Sequence, residues 1–387
     1  MITTDAWVLY QGDAGHSHTP NIAALRSERF SFPDITEHEV LAEPIYGCWE
    51  GNMSHAIERQ PVDICRQRGE EKVVIGNAGV VRVLKTGSLV TKAREGDMCL
   101  VFCNGIQNEF GHTKKVFAYD APNTVGLLAK RMKMSENSLI PLPENTRYTP
   151  QQWAAFSLRY ITAWANWKAA YGCYRVLMPE DEFPAPFVWG WGGGVTLAEL
   201  KLAELYNCRP AMISSDARRL ETIKRMGIKP IDRQPFIGLN FDERRYESDA
   251  TFKESYQEAE NVFLSIVKEE TQGLGVSIFI DYIGLPVARA TLKALGCPGV
   301  ITTAGWKSGM KLSTMRAIEC MNWHTHVHTH YARYAEGVEA VRFGESHGWM
   351  PPLADEVYGW DDIPRLVQEY QRGAISDYFP IYQVNSM

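Results

Sequence analysis

The chain has 387 residues, long for a single core, so two packed domains are the expectation. Hydrophobic residues make up 45% and charged residues 22%, an ordinary globular composition. A formal charge of −6 supplies no basic footprint for nucleic acid or an anionic membrane, and no apolar run approaches the roughly 20 residues that span a bilayer, which leaves a small molecule or a protein as partner.

Eight cysteines are scattered without CxxC pairs, and the opening MITTDAWVLYQG lacks a charged segment followed by an apolar signal core. Both point to reduced thiols and a cytoplasmic location. Residues 1 to about 150 alternate short β-like runs (VLAEPIYG, KVVIGNAGVVRVL, MCLVFC, KVFAYD) with turn-rich connections, which predicts a mostly β domain. From 151 the spacing turns helical in QQWAAFSLRYITAWANWKAAYG.

Strand and helix candidates then alternate: FVWGW, TLAELKLAELYN, AMISS, ARRLETIKRMG, KPIDR, and later SIFIDYIG and GVITTAG. Such alternation predicts right-handed βαβ units on a parallel sheet, an α/β architecture. The charged stretch QPFIGLNFDERRYESDATFKESYQEAEN reads as a solvated surface insertion with some helix. After about 345 a short strand, a helix and a closing strand suggest a return to the first domain.

Three consecutive glycines in VWGWGGGVTLAEL sit between a strand-like and a helix-like run. A turn containing Gly190, Gly192, Gly193 and Gly194, followed by Val195 at the helix start, would bring backbone N–H groups and the positive helix end to a diphosphate. Thr196 stands where a third glycine of GxGxxG variants allows close helix packing. An acidic residue commonly ends the next strand and accepts from ribose hydroxyls; here Ser214 and Ser215 take that place, with Arg218 and Arg219 behind them. Hydroxyls and guanidinium suit a 2′-phosphate, so NADPH is favoured over NADH, Asp216 notwithstanding.

The order of a β-rich first domain with KTGSLVTKAREGD, a helix carrying Thr162-Ala163-Trp164, then WGWGGGV, ISSDARRLETIKRMGI, DYIG and ITTAG resembles the medium-chain dehydrogenase/reductase superfamily over nearly the whole chain. Within it the likeness is to crotonyl-CoA carboxylase/reductases, in VWGWGGGV, MISSDARRLETIKRMG and THYARY. The resemblance implies a GroES-like β-rich catalytic domain (1–155 and 345–387) and a doubly wound Rossmann NADPH-binding domain (156–344). It also implies reduction of an enoyl-CoA or enoyl-carrier-protein thioester, and a homodimer. It carries Tyr282 and Gly305 over as cofactor contacts, His330 as an active-site histidine and, in GCWEGNMSH, Asn52 as an active-site asparagine.

Zinc-dependent relatives use a Cys, a GHE-type pair and a second Cys, with a four-cysteine structural site in many. Here the corresponding region reads VVIGNAGVV, with Cys48 and His55 flanking the place of the first ligand, so no catalytic metal is expected. His324, His326, His328 and His330 alternate, which on a strand places all four on one face. Same-face neighbours there stand about 6 to 7 Å apart, too far for one ion to be shared by four. The carboxylation residues, a Phe-Glu pair before an FG step, are replaced by Ile106 and Gln107 upstream of Phe110-Gly111, which favours simple reduction. In that chemistry the Thr162 hydroxyl and backbone N–H groups would stabilise an enolate and His330 or water would protonate the α-carbon. Trp49, Trp164, Trp191 and Trp306 are expected to wall the acyl and nicotinamide site. Three other readings stay open: a zinc-free quinone or alkenal oxidoreductase of the same fold, a non-catalytic NADPH-binding protein, and a metal-dependent hydrolase built on the histidine strand.

Overall fold

The structure, a computed structural model, describes residues 1–12, 22–305, 320–321, 323–353 and 356–387. The chain divides into two compact units, Met1–Ile161 with Ala332–Met387, and Thr162–Tyr331. The return to the first unit therefore comes at Ala332, earlier than the 345 expected from sequence. The helix Tyr334–His347 belongs with the β-rich unit: the Tyr334 hydroxyl donates to the Leu139 carbonyl at 2.9 Å, and a side chain at Gly337 would come within 2.8 Å of Ile140 Cδ1.

The first unit is organised around the strand Glu39–Cys48, which pairs antiparallel with Gly79–Thr86, with Met132–Ser135 and with the closing strand Ile381–Gln383. Its burial alternates at the start and becomes continuous from Pro44, as befits a strand that passes from one covered face to two. A second, three-stranded sheet sets Ile2–Tyr10 between Arg26–Phe32 and Lys72–Val73. KVFAYD, expected as a strand, is one only up to Lys115. Asp120 ends it, its carboxylate accepting from the Val116 N–H at 2.6 Å and closing a turn.

In the second unit six parallel strands lie in the order Lys229–Asp232, Arg209–Ser214, Phe187–Trp191, Val276–Asp281, Leu295–Thr302, Thr325–His328. Counted by appearance in the chain this is 3-2-1-4-5-6, a doubly wound sheet whose direction of growth reverses beside the first strand. Phe187–Trp191 and Val276–Asp281 are buried at every residue, so both sheet faces are covered there.

The charged stretch after 233 is not a surface insertion. It supplies the crossover between the third and fourth strands of the sheet, through the helices Glu243–Ser248 and Ala250–Glu270. The longer helix buries Tyr256, Ala259, Phe263 and Val267, and the Phe263 ring lies 5.1 Å from Trp191 and 5.3 Å from Phe236. Spacings of three and four make one narrow apolar stripe, which the charged residues over the rest of the helix outweigh in composition. Phe263→Ala should lower unfolding free energy by about 3–5 kcal/mol in urea denaturation; a loss below about 0.5 kcal/mol would return the segment to a solvated face.

Candidate functional site

The glycines of the turn between Phe187–Trp191 and the helix Gly194–Leu205 serve different purposes. A Cβ at Gly190 would stand 2.6 Å from Thr196 Cγ2, and one at Gly192 would overlap the Thr196 hydroxyl, which donates to the Trp191 carbonyl at 3.4 Å. Gly192 also has φ +152°, outside the range that side chains favour. Thr196 thus fills the room that a third glycine would have cleared, and the turn accommodates it by keeping positions 190 and 192 bare.

Gly193 is the opposite case. It is exposed, and a Cβ there would meet nothing within 4 Å. As the N-cap residue it brings no side chain to the first-turn N–H groups of a twelve-residue helix. Those donors, with Gly194 and Val195 in the first turn, stand at the positive helix end beside the open Gly193, a geometry that suits an anion.

Trp191 is paired with Ile213 on the neighbouring strand, so Ser214 sits one residue beyond that pair, at the strand end beside the turn. Ser215 and Arg218 are exposed; Ser214 and Arg219 are half-buried. Ser214 Oγ accepts from the Asp216 N–H at 3.2 Å, and the Asp216 carboxylate caps the following helix by accepting from Arg219 N–H at 3.0 Å. The Asp216 carboxylate is therefore committed to its own helix, and a second carboxylate, Asp232, stands in register with Ser214 on the neighbouring strand and accepts from the Gln234 N–H at 2.9 Å.

Tyr282 closes the far side of the turn: a Cβ at Gly192 would be 3.2 Å from Tyr282 Cβ, and one at Gly305 would be 3.5 Å from it. Tyr282 thus meets Gly192 and Gly305 through its backbone and β-carbon, while its hydroxyl points inward and donates to Glu199 Oε1 on the glycine-turn helix. Burial holds the Glu199 carboxyl well above the usual carboxylate range, and burial, then Glu199 itself, pushes the Tyr282 phenol up. Burial thus favours the protonated form of Glu199 over its carboxylate. Sequence reasoning missed it, because one glutamate in a helix is unremarkable until the sheet covers it. Beside it Asp281 accepts from the Ile283 and Gly284 N–H groups at 3.0 Å each and from the Thr291 hydroxyl at 2.8 Å.

His330 and Thr162 are brought together by a residue that the sequence did not single out. Asn166, fully buried on the helix Arg159–Leu177, accepts from the His330 N–H at 3.0 Å and donates to the His330 carbonyl at 2.9 Å and the Thr162 carbonyl at 3.0 Å. Its amide replaces a strand partner for the backbone of His330. A lone Asn in the apolar run ITAWANW was the available signal.

The four-histidine face does not form. The strand covers only Thr325–His328, His324 has φ +50°, and His330 lies beyond the strand end. His326 and His328 alone stack side by side, their rings 6.4 Å apart and 14° from parallel.

In the first unit Asn52 lies in the first turn of the helix Gly51–Glu58, with its side-chain oxygen buried and without a hydrogen-bond partner. Nearby in sequence, Arg159 engages the residues flanking Trp49. Its guanidinium is 3.0 Å from Glu50 Oε2 and 3.1 Å from Cys48 Sγ, and it donates to the Trp49 carbonyl at 2.7 Å. Burial raises the Cys48 thiol far above its usual value, and burial pushes Glu50 up to about 7 against the pull of Arg159. Among the described residues neither Cys48 nor His55 joins a set of three converging ligand side chains. Gln107 lies in the short strand Ile106–Gln107 with its amide nitrogen buried and unpartnered.

No protein-family model matches the sequence, and no curated protein matches it. Solved structures do. Crotonyl-CoA carboxylase/reductase AntE in complex with NADP is similar at 18% identity and a TM-score of 0.79, over 98% of this chain and 94% of that one. The 2-octenoyl-CoA carboxylase reductase CinF in complex with NADP and 2-octenoyl-CoA gives 18% and 0.78, over 98% and 87%. A cinnamyl alcohol dehydrogenase from Sorghum bicolor gives 16% and 0.69, over 99% and 98%. The chain has the medium-chain dehydrogenase/reductase fold.

Within that medium-chain dehydrogenase/reductase fold the tryptophans expected at the site are mostly core. Trp191 is 1% exposed and packs 5.1 Å from both Phe263 and Phe279; Trp49 is fully buried, its indole donating to Ser54 Oγ at 3.0 Å. Trp191 sits on a strand covered on both faces and Trp49 in the buried connection between Cys48 and Gly51, which takes both side chains away from the surface. Trp164 is buried with the Lys168 ammonium 5.7 Å from its ring, and Trp306 lies outside the described residues.

The raised pKa of Glu199 has a consequence for stability. The unfolded chain ionises this residue near its ordinary pKa of about 4.3, whereas the folded chain holds the proton more tightly, so wild-type stability falls as pH rises above that value. Glu199→Gln has no proton to lose. Its Tm relative to wild type should rise as the pH climbs above about 5 in thermal melts; parallel curves would show that Glu199 ionises freely in the folded state.

Proposed function

We propose that this chain is an NADPH-dependent reductase of an α,β-unsaturated acyl thioester, carried on CoA or on a carrier protein, and that it works without carboxylation. The observation that carries the reading is the open Gly193 cradle beside a strand end that offers Ser214, Ser215, Arg218 and Arg219 in place of an acidic residue. It is supported by the likeness to structures that contain NADP and, in one case, 2-octenoyl-CoA.

The N–H groups of the N-cap Gly193 and of Gly194 and Val195 in the first turn receive the pyrophosphate, and the hydroxyls and guanidinium groups at the neighbouring strand end receive the 2′-phosphate. NADPH, when bound, supplies hydride to the β-carbon of the thioester. Gly190, Gly192, Tyr282 and Gly305 shape the turn against which the nucleotide lies. The Thr162 hydroxyl donates to the thioester oxygen as charge develops there. His330, its backbone held by Asn166, delivers the proton to the α-carbon directly or through water, and Asn52 fills its unmet acceptor by orienting substrate or water. Gln107 presents an amide where carboxylation would call for a carboxylate, so the α-carbon is protonated.

NADPH oxidation with crotonyl-CoA and longer enoyl thioesters, with and without bicarbonate, tests the whole reading. The expected product is the saturated thioester, with a mass that bicarbonate does not change. Turnover of quinones or alkenals alone would favour a quinone reductase, tight NADPH binding without turnover would favour a binding protein, and a carboxylated product would overturn the role given to Gln107. Ser214→Asp should weaken kcat/KM for NADPH by about 10- to 100-fold, since a hydrogen bond to a charged group is replaced by repulsion, and should leave NADH use equal or better. Equal losses for both nucleotides would place Ser214 away from the 2′-phosphate.

A further inference from the structure

We infer that Cys173, His326 and His328 form a binding site for a borderline divalent cation, Zn²⁺, which ties the edge strand of the parallel sheet to the helix Arg159–Leu177. The site is separate from the glycine turn and does not rest on the reductase reading.

The Cys173 sulfur and one ring nitrogen from each histidine all lie within 4.8 Å of one another. A point central to three atoms so spaced is at most 4.8/√3, about 2.8 Å, from each. Zinc needs about 2.0–2.1 Å to nitrogen and about 2.3 Å to sulfur, so each donor closes by less than about 1 Å. The parallel, same-face arrangement of the His326 and His328 rings is what a two-residue chelate on a strand requires.

The two elements are already held in register. Asn166 clamps the backbone of His330, and Cys173 follows Asn166 by seven residues, two helical turns or about 10.5 Å. Stepping back along the extended chain from His330 to His328 and His326 covers about 7 and 13 Å, which brackets that advance. The thiol therefore faces the histidine pair by construction, without a loop having to fold around an ion.

His328 supplies the independent sign that something is missing: its Nε2 atom is buried and has no hydrogen-bond partner. On binding, the Cys173 thiol passes its proton to solvent, and a thiolate with two neutral imidazoles leaves the Zn²⁺ site with net charge +1. His326 is exposed, so the fourth tetrahedral position opens to water.

The test uses the full chain without a histidine tag, stripped by a chelator and titrated with Zn²⁺ and separately with Co²⁺, for wild type, Cys173→Ser, His326→Ala and His328→Ala. One equivalent should bind, with a thiolate-to-cobalt charge-transfer absorption that Cys173→Ser lacks, and each substitution should weaken Zn²⁺ by at least tenfold. Zinc should raise the Tm of wild type and not of the variants, whose metal-free melts report whether they fold. Binding without the sulfur band, or affinities within twofold of wild type in the folded variants, would overturn the site. NADPH binding to Cys173→Ser, expected unchanged, keeps this outcome distinct from failure of the reductase reading.

Discussion

Thr196 pressed against the backbone of the preceding strand is the contact on which the glycine-turn end of the parallel sheet depends. Its methyl and hydroxyl occupy the space that side chains at 190 and 192 would need, so the strand can turn into the helix only through bare backbone. The tightness of that turn carries the helix start past Trp191 and leaves Gly193 facing open space. One close packing contact thus sets the direction of the N–H donors at the helix start, and it is on their open position that the proposed pyrophosphate site rests.

The second organising device is a side chain that behaves like backbone. Asn166 satisfies both polar groups of the His330 peptide in a region where the edge strand has already ended. A buried amide pays its desolvation only if all its bonds are made, and here it makes three. The same helix carries Thr162 one turn before Asn166 and Cys173 two turns after it, so one clamp fixes the helix bearing a hydroxyl and a thiol against the backbone of His330. In the first unit Arg159 does comparable work, because its buried guanidinium gives the Glu50 carboxyl, the Cys48 thiol and the Trp49 carbonyl a shared partner.

How much could be read beforehand follows from the range of the interaction involved. The strands of the parallel sheet were legible because each is a short apolar run bounded by glycine or polar residues, and the glycine turn because its composition is rare. The crossover helix was not: Tyr256, Ala259, Phe263 and Val267 form a stripe too thin to register against the charges around it. The alternating histidines suggested a continuous strand face, yet His324 takes a left-handed conformation and His330 bonds to a helix, neither of which alternation encodes. Trp191 looked like a ligand wall because of its neighbours in sequence, whereas Phe263 and Phe279, distant in sequence, claim it for the core.

Local composition by itself determined the two-part plan, the order of strands and helices, and the turn at 190–194, since each depends on residues within a few positions of one another. Tertiary structure alone decided that Glu199 is buried with a raised pKa, that Asn166 holds His330, that Arg159 occupies Cys48 and Glu50, and that Cys173 faces His326 and His328. Those outcomes join residues from separate elements, and burial, pairing and the loss of water that govern them exist only once the elements have packed.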